Sequence, residues 1–277
     1  MHAHARRTTQ AGSALVAVVA FLATASPASA QLGEQIAAWD GQGFIMFSGG
    51  QQLLTGSFTD RGLFQDSRGA YLGQATNSAA LETSAFNTRY RGNNGRVFDV
   101  TGGAKLYRNF ALMLGFSRFG HDQGVGVTGQ IPHPFYFGED YYRDLEGEAP
   151  PVARAEYAVH LSFAIVVPAT ESFQITIFGG PSFYQLRHGL VSNVLFTQEY
   201  PYETADYTGV TTTTRNGSRA GFNGGADVAY YFTETVGIGI LARYNQAKAE
   251  LPSVHGGMPV QIQVGGLHLT GGLRLRF

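Results

Sequence analysis

The chain has 277 residues, a formal net charge of −1 at pH 7 and no cysteine. That leaves no basic excess for nucleic acid, no disulfide framework and no lipid anchor on sulfur. Thirty-seven glycines, 13% aromatic residues and only 14% charged residues, with no segment beyond residue 30 apolar enough for a membrane helix, point instead to strands as the elements that carry the apolar surface.

The first thirty residues read as a leader. Arg6 and Arg7 precede an apolar run from Ala14 to Ala25, too short to span a bilayer, and Ala28 and Ala30 supply small residues at an A-x-A site. This is the pattern of a secretory signal peptide cleaved near Ala30. Residues 31–43 are then a periplasmic N-terminal segment and 44–277 the folded body.

Eight stretches of that body follow. "GFIMFSGGQQLL" near Phe44 is the weakest, with ambiguous facing. "FDVTGGAKLY" and "FALMLGF" alternate strictly, with Asp99, Thr101 and Lys105 on the polar face of the former. In "EYAVHLSFAIVV" Tyr157, Val159, Leu161, Phe163 and Ile165 oppose Glu156, His160 and Ser162. In "FQITIFGGPSFYQLR" Phe173, Ile175, Ile177 and Phe183 oppose Gln174, Thr176, Ser182 and Tyr184. In "RAGFNGGADVAYYF" Phe222, Val228, Tyr230 and Phe232 oppose Asn223, Asp227 and Tyr231. In "VGIGILARYN" Val236, Ile238, Ile240 and Tyr244 oppose Arg243 and Asn245. The end, "GGLHLTGGLRLRF", sets four leucines against His268, Thr270, Arg274 and Arg276 and stops at Phe277. A two-residue period places successive side chains on opposite faces of a strand. The predicted strands are 44–54, 96–107, 110–120, 154–167, 173–187, 219–232, 236–249 and 262–277.

The links alternate in length. Those at 108–109, 168–172 and 233–235 are short, and those at 55–95, 121–153, 188–218 and 250–261 are long. Short turns at one end and long loops at the other are the layout of an eight-stranded antiparallel up-and-down transmembrane β-barrel, and closure removes the sheet edges that lipid cannot satisfy. Aromatic residues gather at both strand ends, Tyr107, Phe110, Phe173, Phe232 and Phe277 against Phe116, Tyr157, Phe183, Phe222 and Tyr244, as two interfacial belts would require. An even strand number puts both termini on the short-turn, periplasmic side.

On the leader, the alternating strands and the terminal "GGLRLRF", the chain resembles the small eight-stranded outer-membrane barrel proteins of Gram-negative bacteria, the OmpA/OmpX-like β-barrel domain. The resemblance implies residence in the outer membrane, contact with its lipid and lipopolysaccharide, and delivery by the barrel assembly machinery, with Phe277 as the assembly signal. It leaves the role open, since the family includes adhesins, stress-related structural proteins and a few lipid-modifying enzymes.

Candidate chemistry is sparse. "GVGVTG" from Gly124 to Gly129 has the spacing of a dinucleotide loop, but Pro132 and Pro134 oppose the helix such a loop needs, so a flexible loop is expected. His160 and Ser162 share a strand face about 6.6 Å apart and could serve as base and nucleophile, yet Glu156 lies about 13 Å along the strand and cannot orient the histidine. No metal-ligand spacing joins the histidines and no cofactor motif appears. "NGS" at Asn216 reads as a loop tip.

Two features carry the functional expectation. Asp99, Lys105, Glu156, His160, Asp227, Arg243, Arg274 and Arg276 all fall on polar faces and are expected to pair within the lumen, because buried charges persist only when paired and eight strands leave an interior that side chains can fill. The loop at 131–148 holds Phe135, Tyr136, Phe137, Tyr141 and Tyr142 and an acidic tail, and is expected to form an extracellular cap that presents part of itself for contact. The expectation is a non-catalytic structural or surface-interaction barrel with a plugged lumen and an unknown external ligand. A lipid A deacylase-like enzyme and a narrow, porin-like solute channel are the alternatives.

Overall fold

The structure, a computed structural model, describes residues 42–64, 84–136, 139–255 and 258–277. The leader and residues 31–41 lie outside these, so the expectations about cleavage and the N-terminal segment do too.

Eleven strands account for most of the described chain: β1 (Gly43–Leu53), β2 (Phe58–Phe64), β3 (Ser84–Tyr90), β4 (Gly95–Tyr107), β5 (Phe110–Ile131), β6 (Arg143–Pro168), β7 (Phe173–Thr197), β8 (Asp206–Tyr231), β9 (Val236–Leu251), β10 (Val260–Val264) and β11 (Leu267–Arg276). Every ladder is antiparallel. β1, β4, β5, β6, β7, β8, β9 and β11 form a ring of eight, which β1 and β11 close in register from Phe44↔Arg276 to Leu53↔Leu267. Gly43 and Phe277 exchange reciprocal backbone hydrogen bonds at 2.9 Å. The first strand thus pairs with the last, as the strand count requires.

Facing follows the two-residue period. Phe98, Leu114, Phe163, Ile177, Val228, Ile240 and Leu269 point outward and are exposed. Asp99, Ser117, His160, Thr176, Asp227, Arg243 and Arg274 point inward and are buried. This is the reverse of a protein folded for water. Phe173 to Phe183 and Phe232 to Phe222, the aromatic limits of β7 and β8, are each ten residues apart. Ten residues span about 34 Å of strand, or about 26 Å of barrel height at a tilt near 40°, which matches the roughly 25 Å apolar band of such barrels.

The predicted long loops need correction. Residues 121–131 continue β5, 143–153 begin β6, 188–197 continue β7 and 206–218 begin β8, so the wall rises well past the outer belt. "GVGVTG" is strand rather than flexible loop, with Val125↔Ala149 and Val127↔Gly147 in register. Asn216 pairs with Arg187 in mid-strand and is no loop tip. Within the long link 55–95, β2 and β3 form a hairpin above the ring, and β3 joins β5. The predicted last strand is divided. β10 extends β9 upward, Gly265 (φ +88°) breaks the chain, and β11 restarts one level lower. Only glycine adopts that φ freely, and a Cβ there would lie 2.6 Å from the Asn245 carbonyl.

The extension rises because its alternation changes sign. On β9 the outward face reads Val236, Ile238, Ile240, Ala242 and Tyr244, then Gln246, Lys248 and Glu250. The inward face reads Arg243 and Asn245, then Ala247, Ala249 and Leu251. On β7 the outward face passes from Phe183 to Gln185 and Arg187 while the inward face passes from Ser182 to Leu186 and Leu190. Above the outer belt, therefore, the barrel is apolar inside and polar outside, as water demands. Phe86, Tyr90, Val125, Val127, Leu145, Leu186, Leu190, Leu251 and Ile262 belong to one buried apolar cluster there. Its two end strands, β2 and β10, are joined by no ladder among the described residues.

Candidate functional site: a polar plug and a two-hairpin tip

The lumen is filled from the short-turn end upward. Arg276 forms the floor, its guanidinium 4.0 Å over the Tyr231 ring and its Nε donating to the Glu234 carbonyl at 2.7 Å. Above it, Arg274 donates from Nε to both oxygens of Asp227 at 3.1 Å, from Nη2 to Oδ1 at 2.5 Å and from Nη1 to Ser48 Oγ at 2.9 Å. Arg243 pairs with Asp99 and donates to Thr101 Oγ1 at 3.2 Å, and Thr101 donates to Asp99 Oδ1 at 2.9 Å. The Arg243 guanidinium also lies 5.2 Å from the centre of the Phe178 ring.

The next level is built on His160. Its Nε2 meets Ser117 Oγ at 2.9 Å and its Nδ1 meets Ser182 Oγ at 2.7 Å. Ser162 instead donates to Asn223 Oδ1 at 2.9 Å. The two residues weighed as base and nucleophile are thus each engaged elsewhere. His268 holds Gln52 Oε1 at 2.7 Å, and Gln52 donates to the Gly265 carbonyl at 3.1 Å. Glu156 takes Arg154 Nε at 2.7 Å and the Gly265 amide at 2.8 Å, while Arg154 Nη2 reaches the Gln263 carbonyl at 2.6 Å.

The structure places Asp99, Glu156, His160, Asp227, Arg243, Arg274 and Arg276 on the inward face, each in a hydrogen bond or ion pair. Lys105 is half-buried near the short-turn end of β4, at the register shift between Lys105 and Tyr107. Arg154, the partner of Glu156, was missed. The signal was available, since the two share a face at a spacing of two. Among the described residues no three His, Asp or Glu side chains gather as a metal site would.

Above the plug, His188 meets Gln123 Oε1 at 2.7 Å and the Gly189 carbonyl at 2.6 Å, and its ring packs edge-on against Phe58 and Tyr90. Burial, with Arg154 nearby, pushes His188 down to about 4. The same burial pushes the Tyr90 phenol up to about 12, where its oxygen accepts the Val191 amide at 2.7 Å.

At the top, the β5–β6 and β7–β8 hairpins lean together. Gly147 lies against the Tyr207 ring, which a Cβ would meet at 2.3 Å. Buried Arg143 ties the two hairpins with three bonds, to Gln198 Oε1 (2.8 Å) and to the carbonyls of Tyr202 (3.2 Å) and Thr204 (3.2 Å), and holds its own loop with a fourth, to the Pro132 carbonyl (2.8 Å). His133, also buried, accepts the amides of Phe135 and Tyr136 on Nδ1 at 3.1 and 3.2 Å and meets the Pro201 carbonyl through Nε2 at 3.4 Å. The rings of Tyr141, Tyr136, His133, Phe135, Tyr202 and Tyr200 follow one another at centroid spacings of 4.7–6.3 Å.

The rings of the aromatic loop pack on one another, while Phe135 and Tyr136 remain 56% exposed and Tyr200 84%. Tyr142 is half-buried, and Phe137 lies outside the described residues. The contribution of Tyr200 and Tyr202 was not foreseen. The doublet "EYPYE" carried the signal, but it lay in a stretch read only as a long loop.

No family model matches the chain, and no curated protein matches it in sequence. Among solved structures it is similar to the outer membrane protein OprG of Pseudomonas aeruginosa, with a TM-score of 0.44, 11% identity and coverage of 87% of this chain and 98% of that one. It is similar also to Ail, the attachment invasion locus protein of Yersinia pestis, with a TM-score of 0.32, 9% identity and coverage of 84% and 99%. A third similarity is to the outer membrane protease OmpT of Escherichia coli, with a TM-score of 0.34, 12% identity and coverage of 86% and 94%.

Proposed function

We propose that the protein is an outer-membrane barrel of a Gram-negative cell that presents a closed, structured tip to the exterior, in a structural or surface-interaction role without catalysis. One observation carries this reading. The same strands that are apolar outside and polar inside over about 26 Å of height reverse both faces above the outer aromatic belt, so each level of the wall suits a different solvent. The short turns, and the Gly43 and Phe277 ends of the first and last strands, then face the periplasm, and the tip faces out.

The wall just above the belt also suits outer-leaflet lipid. Arg96, Arg118, Arg187 and Lys248 are exposed on the outer face beyond Phe98, Phe116, Phe183 and Tyr244, with the Arg118 guanidinium 5.6 Å over the Tyr157 ring. Guanidinium and ammonium groups at that height pair with the phosphates of lipopolysaccharide. Assembly through the barrel machinery, with Phe277 as its signal, belongs to the same reading.

Filling of the lumen by ion pairs, then by an apolar cluster, argues against free solute passage. Planar bilayers holding the purified protein should stay electrically silent, and protease added to intact cells should cut between 132 and 142 while sparing the short turns. A large, stable conductance or cleavage only after the cells are opened would overturn the proposal. A lipid-hydrolysing activity lost on His160→Ala would put the enzyme reading in its place.

A further inference from the structure

The tip differs from the rest of the surface in two respects at once. Phe135, Tyr136, Tyr141 and Tyr200 are about half or more exposed although they are backed by buried His133 and half-buried Tyr202. Between 130 and 150 and between 196 and 210 the sequence also places Glu139, Asp140, Asp144, Glu146, Glu148, Glu199, Glu203 and Asp206 against a single basic residue, Arg143. Arg143 is buried, and three of its bonds cross to the neighbouring hairpin, so its guanidinium is not presented to a partner at the surface. Glu148 is paired with Arg91, but Asp140, Asp144, Glu146, Glu199, Glu203 and Asp206 are all exposed.

We infer that this aromatic, acidic tip is a docking surface for an arginine-bearing, cationic peptide segment of another protein. The inference rests on the outward orientation proposed above. Rings with their faces in water attract cations through the ring quadrupole, and carboxylates at their margin pair with the same groups. A guanidinium satisfies both, because it is planar, stacks on aromatic faces and takes carboxylates in a bidentate manner, which an ammonium does not. An anionic partner would meet uncompensated acid, and a purely apolar one would strand those carboxylates. Rigid rings lose little freedom on contact, and the Arg143 and His133 bonds hold the backbone beneath them in place.

The test uses the full-length protein reconstituted in phosphatidylcholine nanodiscs and titrated at low salt with a fluorescent nona-arginine peptide, and with nona-lysine and nona-glutamate peptides for comparison. Nona-arginine should bind, nona-lysine several-fold more weakly, and nona-glutamate not at all. Two double variants, Phe135→Ser with Tyr200→Ser and Glu199→Gln with Glu203→Gln, alter exposed side chains only and should each weaken nona-arginine binding about tenfold. No binding by the wild type, or binding that the ring variant leaves unchanged, would overturn the inference; the latter would reduce it to simple charge attraction. If intact-cell proteolysis shows the tip facing the periplasm, the orientation fails, while the nanodisc titration still decides whether the surface takes this peptide.

Discussion

Asp227→Ala is the most direct probe of the plug. Arg274 and Asp227 are 1% and 2% exposed, and the substitution removes three of the bonds that hold the guanidinium in the lumen. The remaining bond to Ser48 and the neighbouring carbonyls cannot neutralise a buried charge. Breaking a buried pair from one side costs about 3–5 kcal/mol, against about 0–1 kcal/mol for an exposed pair. Replacing both partners by apolar groups of similar volume is often near neutral, so Asp227→Leu combined with Arg274→Met should recover most of the loss. The assay is urea unfolding from lipid vesicles, followed by far-ultraviolet circular dichroism, with the slope checked for constancy. The reasoning fails if Asp227→Ala costs less than about 1 kcal/mol, because the lumen would then be wet enough to solvate the orphaned arginine, or if the double replacement is as damaging as the single one.

Four further outcomes are expected. Gly147→Val drives a side chain into the Tyr207 ring and should part the two hairpins, raising protease cleavage at 132–142 without lowering the amount of inserted barrel; unchanged protection would count against the packed tip. A chain ending at Arg276 should reach the outer membrane in smaller amounts yet unfold at nearly the same urea concentration once inserted, as quantitative surface labelling and vesicle unfolding would show. His188 is held below its ordinary pKa, at about 4, so between about 6.5 and 4 the unfolded chain takes up a proton that the folded chain refuses. The stability this residue contributes is full above that window and lost as pH falls through it, and His188→Gln should flatten that part of the profile. Replacing Arg143 by Met should loosen both hairpins together, because three of its bonds span them; hydrogen exchange that rises in only one would contradict that coupling.

The ring of eight was legible in the sequence because lipid imposes the simplest rule a strand can obey. Val159, Leu161, Phe163 and Ile165 against His160 and Ser162 fix both the strand and its facing. What the sequence concealed is the continuation. "TTTTRNGSRAG" is polar on both faces and shows no period, yet β8 runs through it because β7 offers a long partner from Gln185 to Val191. Elsewhere the period persists but its sign reverses, so the predicted strand 236–249 stops short of Leu251, although Ala247, Ala249 and Leu251 continue the inward face of β9. The charged plug was readable one face at a time. Its pairings were not, since Arg243 and Asp99 are 144 positions apart and meet only once the ring closes. The tip is half legible: one aromatic loop stands out by composition, while its partner, with Tyr200 and Tyr202, lies within the predicted long loop 188–218.

The unjoined ends β2 and β10 show where this wall is free to vary. Within lipid every backbone group must find a partner, so the ring cannot lose a strand or gain a gap without exposing donors and acceptors that nothing else will satisfy. Above the belt, water fills that role, and an uncovered edge is tolerable. Among the described residues the β2–β3 hairpin is laddered to the sheet on one side, through β3 and β5, and packs its inner face on the buried cluster. Changes in this hairpin leave untouched the closure of the ring, which β1 and β11 make. Diversification of the exposed surface can then proceed at this hairpin, generation after generation, without any change to the strands that have to be assembled in the membrane.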